Sequence, residues 1–345
     1  MTRLRHWGIA LATAGLLASG CGGGSGESSV TTFGVLSAAL ADTAEASTYR
    51  VTVHSGMTMK LPAVGFDSTT DLDGQPPLLV GEVSQERQHF SINLGPFLEG
   101  LAGDLADFGE VGFEMWADEE RIVMDTRDYG QLAAATPKPD LGPFAPGVFS
   151  VDLVALGAES PQLLTALVGS STLDLSELAK SLPSSLREIE QTSTNPQIFA
   201  GTTTYADLLV AQGAELEDIA RSQAAGVALN QTTSVDSFTD FYVDIFQDLE
   251  AEVVIELDGR GLLRVLSTRV DMSSTYTAVF ENEDLVSGIT EQERREAEEA
   301  FKGARLVLEF RFVYEADINL EVSLPPVATE DRTDEWREFL TNAGF

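Results

Sequence analysis

Alternation of apolar and polar side chains is the dominant pattern in this chain, and it predicts strands. Tyr49, Val51, Val53, Met57, Met59 and Leu61 fall on one face of the first run, with Arg50, Thr52, His54, Thr58 and Lys60 on the other, as in a strand with one buried face. The same alternation sets Phe90, Ile92 and Leu94 against His89, Ser91 and Asn93, so His54 and His89 are both expected on solvent faces. Phe113 to Thr126 predicts a hairpin turned at Ala117-Asp118-Glu119-Glu120. A second hairpin is predicted from Asp248 to Met272, where Val253, Ile255 and Leu257 alternate with Glu252 and Glu256 and Asp258-Gly259 supplies the turn. The longest run has an apolar residue at every even position from Leu306 to Leu324. At about 3.3 Å per residue it would extend roughly 60 Å, far beyond an ordinary strand. It must therefore curve, with a bulge expected near Glu315 to Asp317, and an open, strongly bent sheet is the consequence.

Helical spacing is rarer. Phe33, Leu36, Ala39, Leu40 and Ala44 predict an amphipathic helix that runs to Ser47 and leads into the first strand. Shorter helices are predicted at Pro161 to Val168, Asp174 to Leu182 and Thr290 to Lys302, the last opened by a Thr290/Glu293 capping box. Pro137 to Gly147 and Pro183 to Pro196 are candidate boundaries, yet the strands on either side look alike and no internal repeat is seen. One elaborated α+β domain over residues 33–329 is expected, followed by an acidic C-terminal tail, 330–345.

The N-terminus changes the picture. Arg3 and Arg5 precede an apolar stretch from Gly8 to Leu17, and Ala18-Ser19-Gly20 places small residues directly before Cys21. This is the layout of a cleaved export signal over residues 1–20. Cys21 is the sole cysteine, so no internal disulfide is available and the core must hold the fold. Leu17-Ala18-Ser19-Gly20-Cys21 resembles the bacterial lipobox, with the departure that leucine stands four places before the cysteine. That resemblance implies a thiol acylated with diacylglycerol and a chain anchored to the outer face of the cell membrane. Residues 21–32, beginning Cys21-Gly22-Gly23-Gly24-Ser25-Gly26, are expected to be a flexible tether.

Charge narrows the partners. Asp and Glu number 55 against 21 Lys and Arg, a formal charge of −34. Loss of Arg3 and Arg5 with the signal leaves 19 basic against 55 acidic side chains, a mature charge of −36. A phosphate backbone would be repelled, so no nucleic-acid partner is expected. Only four of the basic residues are lysines, Lys60, Lys138, Lys180 and Lys302, a surface suited to salty water, where self-repulsion is screened.

Candidate chemistry is sparse. Catalysis by a serine or cysteine nucleophile needs a neighbouring base, and after the signal the chain offers only His54 and His89. There is no Gly-rich phosphate loop, HExxH or zinc-ligand cluster, and Asp71-Leu72-Asp73-Gly74 is too short a fragment of a calcium loop. No enzyme, cofactor or metal is expected. Glu281 to Glu299 holds eight acidic residues and two arginines. It reads as a solvated helix face with Glu291–Arg295 and Arg294–Glu298 pairs, a docking surface for a cationic partner being the alternative. An apolar sheet face of this size either closes into a solid core or leaves a cavity for a hydrophobic ligand.

Several short motifs now line up. The lipobox, the helix entering Thr48-Tyr49-Arg50-Val51, the Gly201-Thr202-Thr203-Thr204-Tyr205 segment, the Ala251 to Val270 hairpin and the last strand ending in Leu324-Pro325-Pro326 together resemble the LppX/LprG-type actinobacterial lipoproteins. That family is related in fold to the LolA and LolB carriers. The resemblance implies a strongly curved antiparallel half-barrel with helices on its concave side, enclosing a cavity for the acyl chains of lipids or lipoglycans. Val51, Val53, Met57, Phe113, Met115, Val253, Ile255, Phe310, Phe312 and Ile318 are the candidate lining residues. The expected role is to bind an acylated molecule and pass it to an envelope transporter or other envelope protein. The alternatives are a non-catalytic sensor or scaffold that binds a protein partner, and a hydrolase, which would need converging carboxylates.

Overall fold

A computed structural model of the chain describes residues 27–73, 75–84, 87–95, 111–118, 120–129, 145–155, 175–211, 216–217, 220, 235–275, 278 and 290–343. Residues 1–26, with the expected signal and Cys21, lie outside the described residues, as do the expected helix at 161–168, most of the 137–147 stretch and 281–289.

The long amphipathic run is β1 (Tyr49–Leu61), and the sheet is built outward from it. Its N-terminal half pairs with β3 (Leu79–Val83) and its C-terminal half with β2 (Phe66–Thr70). From β3 the sheet continues through β4 (Gln88–Asn93), β5 (Gly112–Ala117), β6 (Arg121–Asp125) and β7 (Val148–Asp152). On its other side β1 pairs with β12 (Arg305–Ala316), followed by β11 (Leu263–Asp271), β10 (Glu250–Leu257), β9 (Gln197–Thr204) and β8 (Arg187–Thr194). A two-residue β13 (Glu330–Asp331) runs parallel to β7 and completes a 13-stranded, open, curved sheet among the described residues, antiparallel at all its other pairings. Both expected hairpins form. Asp118 Oδ1 accepts the Glu120 and Arg121 N–H groups at 2.9 Å, and Asp258 Oδ1 accepts those of Arg260 and Leu262 at 2.8 and 3.0 Å. The left-handed position of the second turn is Gly261, at φ +85, not Gly259.

Helices pack on one face of this sheet, here called inner. In α1 (Glu27–Ala44) Leu36, Ala39, Leu40 and Thr43 are buried, and the Thr43 hydroxyl donates to Ala39 O at 2.7 Å while accepting the Leu263 N–H at 2.8 Å. This helix begins within the stretch expected to be tether, and Phe33, expected in the core, is exposed. It packs on α2 (Leu175–Ser185), which packs on α3 (Tyr205–Ala211). The Pro183 to Pro196 stretch is therefore no boundary, for it holds the end of α2 and the β8–β9 turn. Two further helices are α4 (Val235–Phe246) and α5 (Glu291–Ala300). On α5 both expected pairs form, Arg294 with Glu298 at 3.0 Å and Arg295 with Glu291 at 3.3 Å.

The C-terminal run departs from expectation. The strand ends at Ala316, because Asp317 takes a left-handed φ of +53 and turns the chain off the sheet. Residues 318–329 then cross the outer face as a strap. It is fixed at its start by the Asp317 N–H to Thr48 O bond (2.9 Å) and at its end by the Thr329 N–H to Val148 O bond (2.8 Å). Beyond β13 the chain enters α6 (Thr333–Ala343), whose Trp336 is 1% exposed within the core. The segment expected to be an acidic tail is thus tied to the domain.

Candidate functional site

Register settles which side chains share the inner face. β1 and β12 pair without interruption, setting Val51 opposite Tyr314, Val53 opposite Phe312 and Met57 opposite Leu308. Phe312 lies opposite Leu266, which lies opposite Ile255, and Thr268 bridges Phe310 and Val253. In the other direction Val53 faces Leu79, Leu79 faces Ile92 and Ile92 faces Phe113, while Phe90 faces Met115. Nine of the ten expected lining residues therefore stand on one continuous surface. The tenth, Ile318, does not. The left-handed turn at Asp317 carries it off the sheet, and its carbonyl accepts the Thr48 hydroxyl instead.

This surface is chemically uniform. Across β1, β3–β7 and β9–β12 its inward positions carry no Asp, Glu, Lys or Arg. Burial pushes the Tyr314 phenol well above its ordinary value, with Tyr49 nearby adding to the effect, so it stays neutral and acts as an apolar wall. Val51, Val53, Met57, Met115, Val253, Ile255 and Phe312 are buried, and Phe113 and Phe310 are half-buried against the same cluster.

Burial is graded along the central pair. At one end Tyr49, Val51, Val53, Phe312, Tyr314 and Ala316 are all buried. At the other, Met59, Leu61, Leu306, Leu308 and Phe310 are only half-buried, although the alternation there is as strict. The inner face is sealed beside α1 and partly uncovered where β12 begins.

The outer face is ionic. Arg50 bridges Glu82 (2.9 Å) and Glu315 (3.3 Å), and the Glu82 hydrogen bond raises the guanidinium further above its ordinary range. Arg269 likewise joins Glu252 (3.0 Å) and Glu309 (3.2 Å). His54 and His89 stand on this face as expected, but His89 is covered. Its ring stacks on Trp116 with centroids 4.7 Å apart, and its Nδ1 lies 3.2 Å from Ser323 Oγ, which also accepts the Trp116 indole N–H at 3.0 Å. Beside the strap lies a cleft of about 230 Å³ bounded by Arg87, Trp116, Asp118, Arg121, Ser323 and Leu324. Sequence reasoning missed it, because alternation does not reveal which strand ends meet a distant strap.

Among the described residues no helix is long and apolar enough to cross a membrane. No family model matches the chain, and no curated protein matches it. Among solved structures, the crystal structure of the Mycobacterium tuberculosis lipoprotein LppX is similar to it at 11% identity, over 85% of this chain and 99% of that one, with a TM-score of 0.33. A likeness this remote fixes neither ligand nor activity.

Proposed function

We propose that the chain is an envelope lipoprotein, held through Cys21 to the outer face of the cell membrane, that binds a lipid or acylated molecule on its inner apolar face. It carries or presents that molecule to other envelope components and performs no reaction on it. The burial gradient along β1 and β12 is the observation that carries this reading. Met59, Leu61, Leu306, Leu308 and Phe310 form an apolar end that the described chain leaves half-covered, and such a surface is suited to alkyl chains. A sheet curved into a half-barrel, with its helices on the concave side, would enclose them from this end.

The uncharged inner face excludes a headgroup, which must stay at the uncovered end while the acyl chains lie along the sheet. Each buried CH₂ contributes about 0.8 kcal/mol, and leaving the bilayer costs a similar amount. Transfer is therefore near balance, and its direction comes from the donor and acceptor components.

Native mass spectrometry with organic extraction tests this, on protein made as Gly22 to Phe345 and recovered from a bacterial envelope. Co-purified diacyl lipid or glycolipid near one per chain is expected, and its loss in Leu308→Asp. A clean apoprotein that also takes up no added lipid refutes the proposal.

A further inference from the structure

The stripe that buries α1 does not stop where the domain stops. Phe33 precedes Leu36 by three positions and Leu40 by seven, so it lies on the same helical face. Yet Phe33 is 41% exposed while Leu36 and Leu40 are fully buried; Val35, two positions on and so towards the opposite side of the helix, is exposed as well. Between them, a Cβ added to Gly34 would meet nothing within 4 Å. This turn of the helix carries the apolar stripe beyond the buried part of the domain and leaves the Phe33 ring only partly covered.

Its position says what meets it. Cys21 lies six residues before the first residue of α1, Glu27, a span of at most about 20 Å when fully extended. Phe33 is six helical residues further on, about 9 Å along the axis. If Cys21 is acylated, the turn bearing Phe33 is held within roughly 30 Å of the bilayer surface, at an effective concentration no free partner matches. From Cys21 to Ala44 there is no Lys or Arg, so attraction to anionic lipid plays no part in the contact.

We propose that Phe33 rests in the interface of the bilayer that holds Cys21, and that this second contact sets the orientation of the domain on the membrane. The inference rests on the reading of Cys21 as the acylated anchor. The partner is a zwitterionic lipid surface. Anionic lipid opposes the contact because the mature chain carries a charge of −36, and added salt relieves that opposition.

The test uses the chain from Cys21 to Phe345 bearing Phe33→Trp, a conservative change at an exposed site. Its only thiol, at Cys21, is coupled to a maleimide lipid in phosphatidylcholine vesicles whose acyl chains are brominated. Read against the same chain without the substitution, whose Trp116 and Trp336 are buried, emission from the indole at position 33 should shift to the blue and lose most of its intensity on coupling. Replacing part of the phosphatidylcholine with phosphatidylglycerol should weaken the quenching at low salt, and salt should restore it. Val327→Trp, on the outer-face strap at a site 89% exposed, should keep its emission. An indole at position 33 that stays in water on coupled vesicles, or quenching equal at positions 33 and 327, overturns the proposal and leaves the anchor reading intact. A mature chain from the envelope whose mass lacks an acylated Cys21 overturns both.

Discussion

Arg332 holds the C-terminal segment to the last long strand of the sheet, and replacing it with methionine should loosen that attachment selectively. Its side chain is 6% exposed. Nη1 donates to Ala145 O and Nη2 to Glu330 Oε1, both at 2.6 Å, while the guanidinium sits 4.2 Å above the Phe149 ring. A hydrogen bond from a charged donor contributes about 1.5 to 3 kcal/mol. The Glu330 bond counts at the low end, because that carboxylate is 48% exposed and regains water when released. The cation–π contact adds about 1 to 2 kcal/mol, and methionine restores part of the packing of the stem. The backbone bonds from Arg332 N–H to Ser150 O (2.9 Å) and from Trp336 N–H to Arg332 O (3.0 Å) survive the change. A net loss of about 2 to 4 kcal/mol is expected, read as a lower urea midpoint with unchanged slope, or a fall of roughly 3 to 6 °C in Tm. Arg332→Lys should fall between, since one ammonium cannot span two acceptors as a planar fork does. Arg337→Met, at a half-exposed site paired with Asp334 and Ala155 O, should cost less than about 1 kcal/mol. If Arg332→Met and Arg337→Met are indistinguishable and within about 0.5 kcal/mol of the parent, the reasoning fails.

Four further outcomes are expected. Gly81→Ala would bring a Cβ to 2.9 Å from both Phe90 and Val51, so thermal unfolding should show a loss of about 1 to 3 kcal/mol; an unchanged Tm would mean the two side chains have room to move. Trp116→Phe deletes the 3.0 Å indole bond to Ser323 and should cost about 0.5 to 1.5 kcal/mol while speeding proteolysis within 318–329; equal cleavage rates would show the strap is held elsewhere. Hydrogen bonds from Arg127, Ser273 and Thr333 hold the Asp125, Asp271 and Asp331 carboxyls below the ordinary 3.8. The folded chain thus binds these protons less tightly than the unfolded one, and stability present above pH 4 should be lost as pH falls through the lowered values. Burial, with nearby Tyr205 adding to it, pushes the Tyr242 phenol from 10.0 up to about 12, so the opposite sign holds in alkali: stability is complete below pH 10 and should be lost as pH rises toward 12. A urea midpoint flat across either window would refute the corresponding assignment.

The legible parts of the fold are those where one strand shows its own burial. β1, β12 and the β5–β6 and β10–β11 hairpins announce themselves because large apolar residues occupy each inward position. β3 does not, because its middle inward position is Gly81, emptied to admit the Phe90 ring. On β9 the inward set is Gln197, Phe199, Gly201 and Thr203, with a single large apolar side chain. Alternation also records an amphipathic ribbon without saying which surface it meets. The even positions from Ile318 to Leu324 continue the β12 pattern, yet they belong to the strap, where Val322 is buried and Leu324 is 69% exposed. The shielding of His89 depends on Ser323, 234 residues away, and no local pattern encodes that. The ion pairs of α5 were legible because each lies within one helical turn. The same logic applies to the apolar face: alternation identified nine of its members, while the gradient in their burial emerges only once the helices are placed.

The pairing of β1 with β12 also dictates when this chain folds. Arg50 and Glu315, joined across that ladder, are 265 residues apart, so the two halves of the sheet meet at its centre through strands far apart in the chain. Closing a loop of that length carries an entropy cost repaid only when both strands are present. The hairpins β5–β6 and β10–β11 form locally, but neither half finds its neighbour until nearly the whole chain has been made. A polypeptide arranged this way emerges from synthesis without its central seam and stays threadable through a narrow pore. The seam then closes between halves whose hairpins are already formed, with the strap laid across it last.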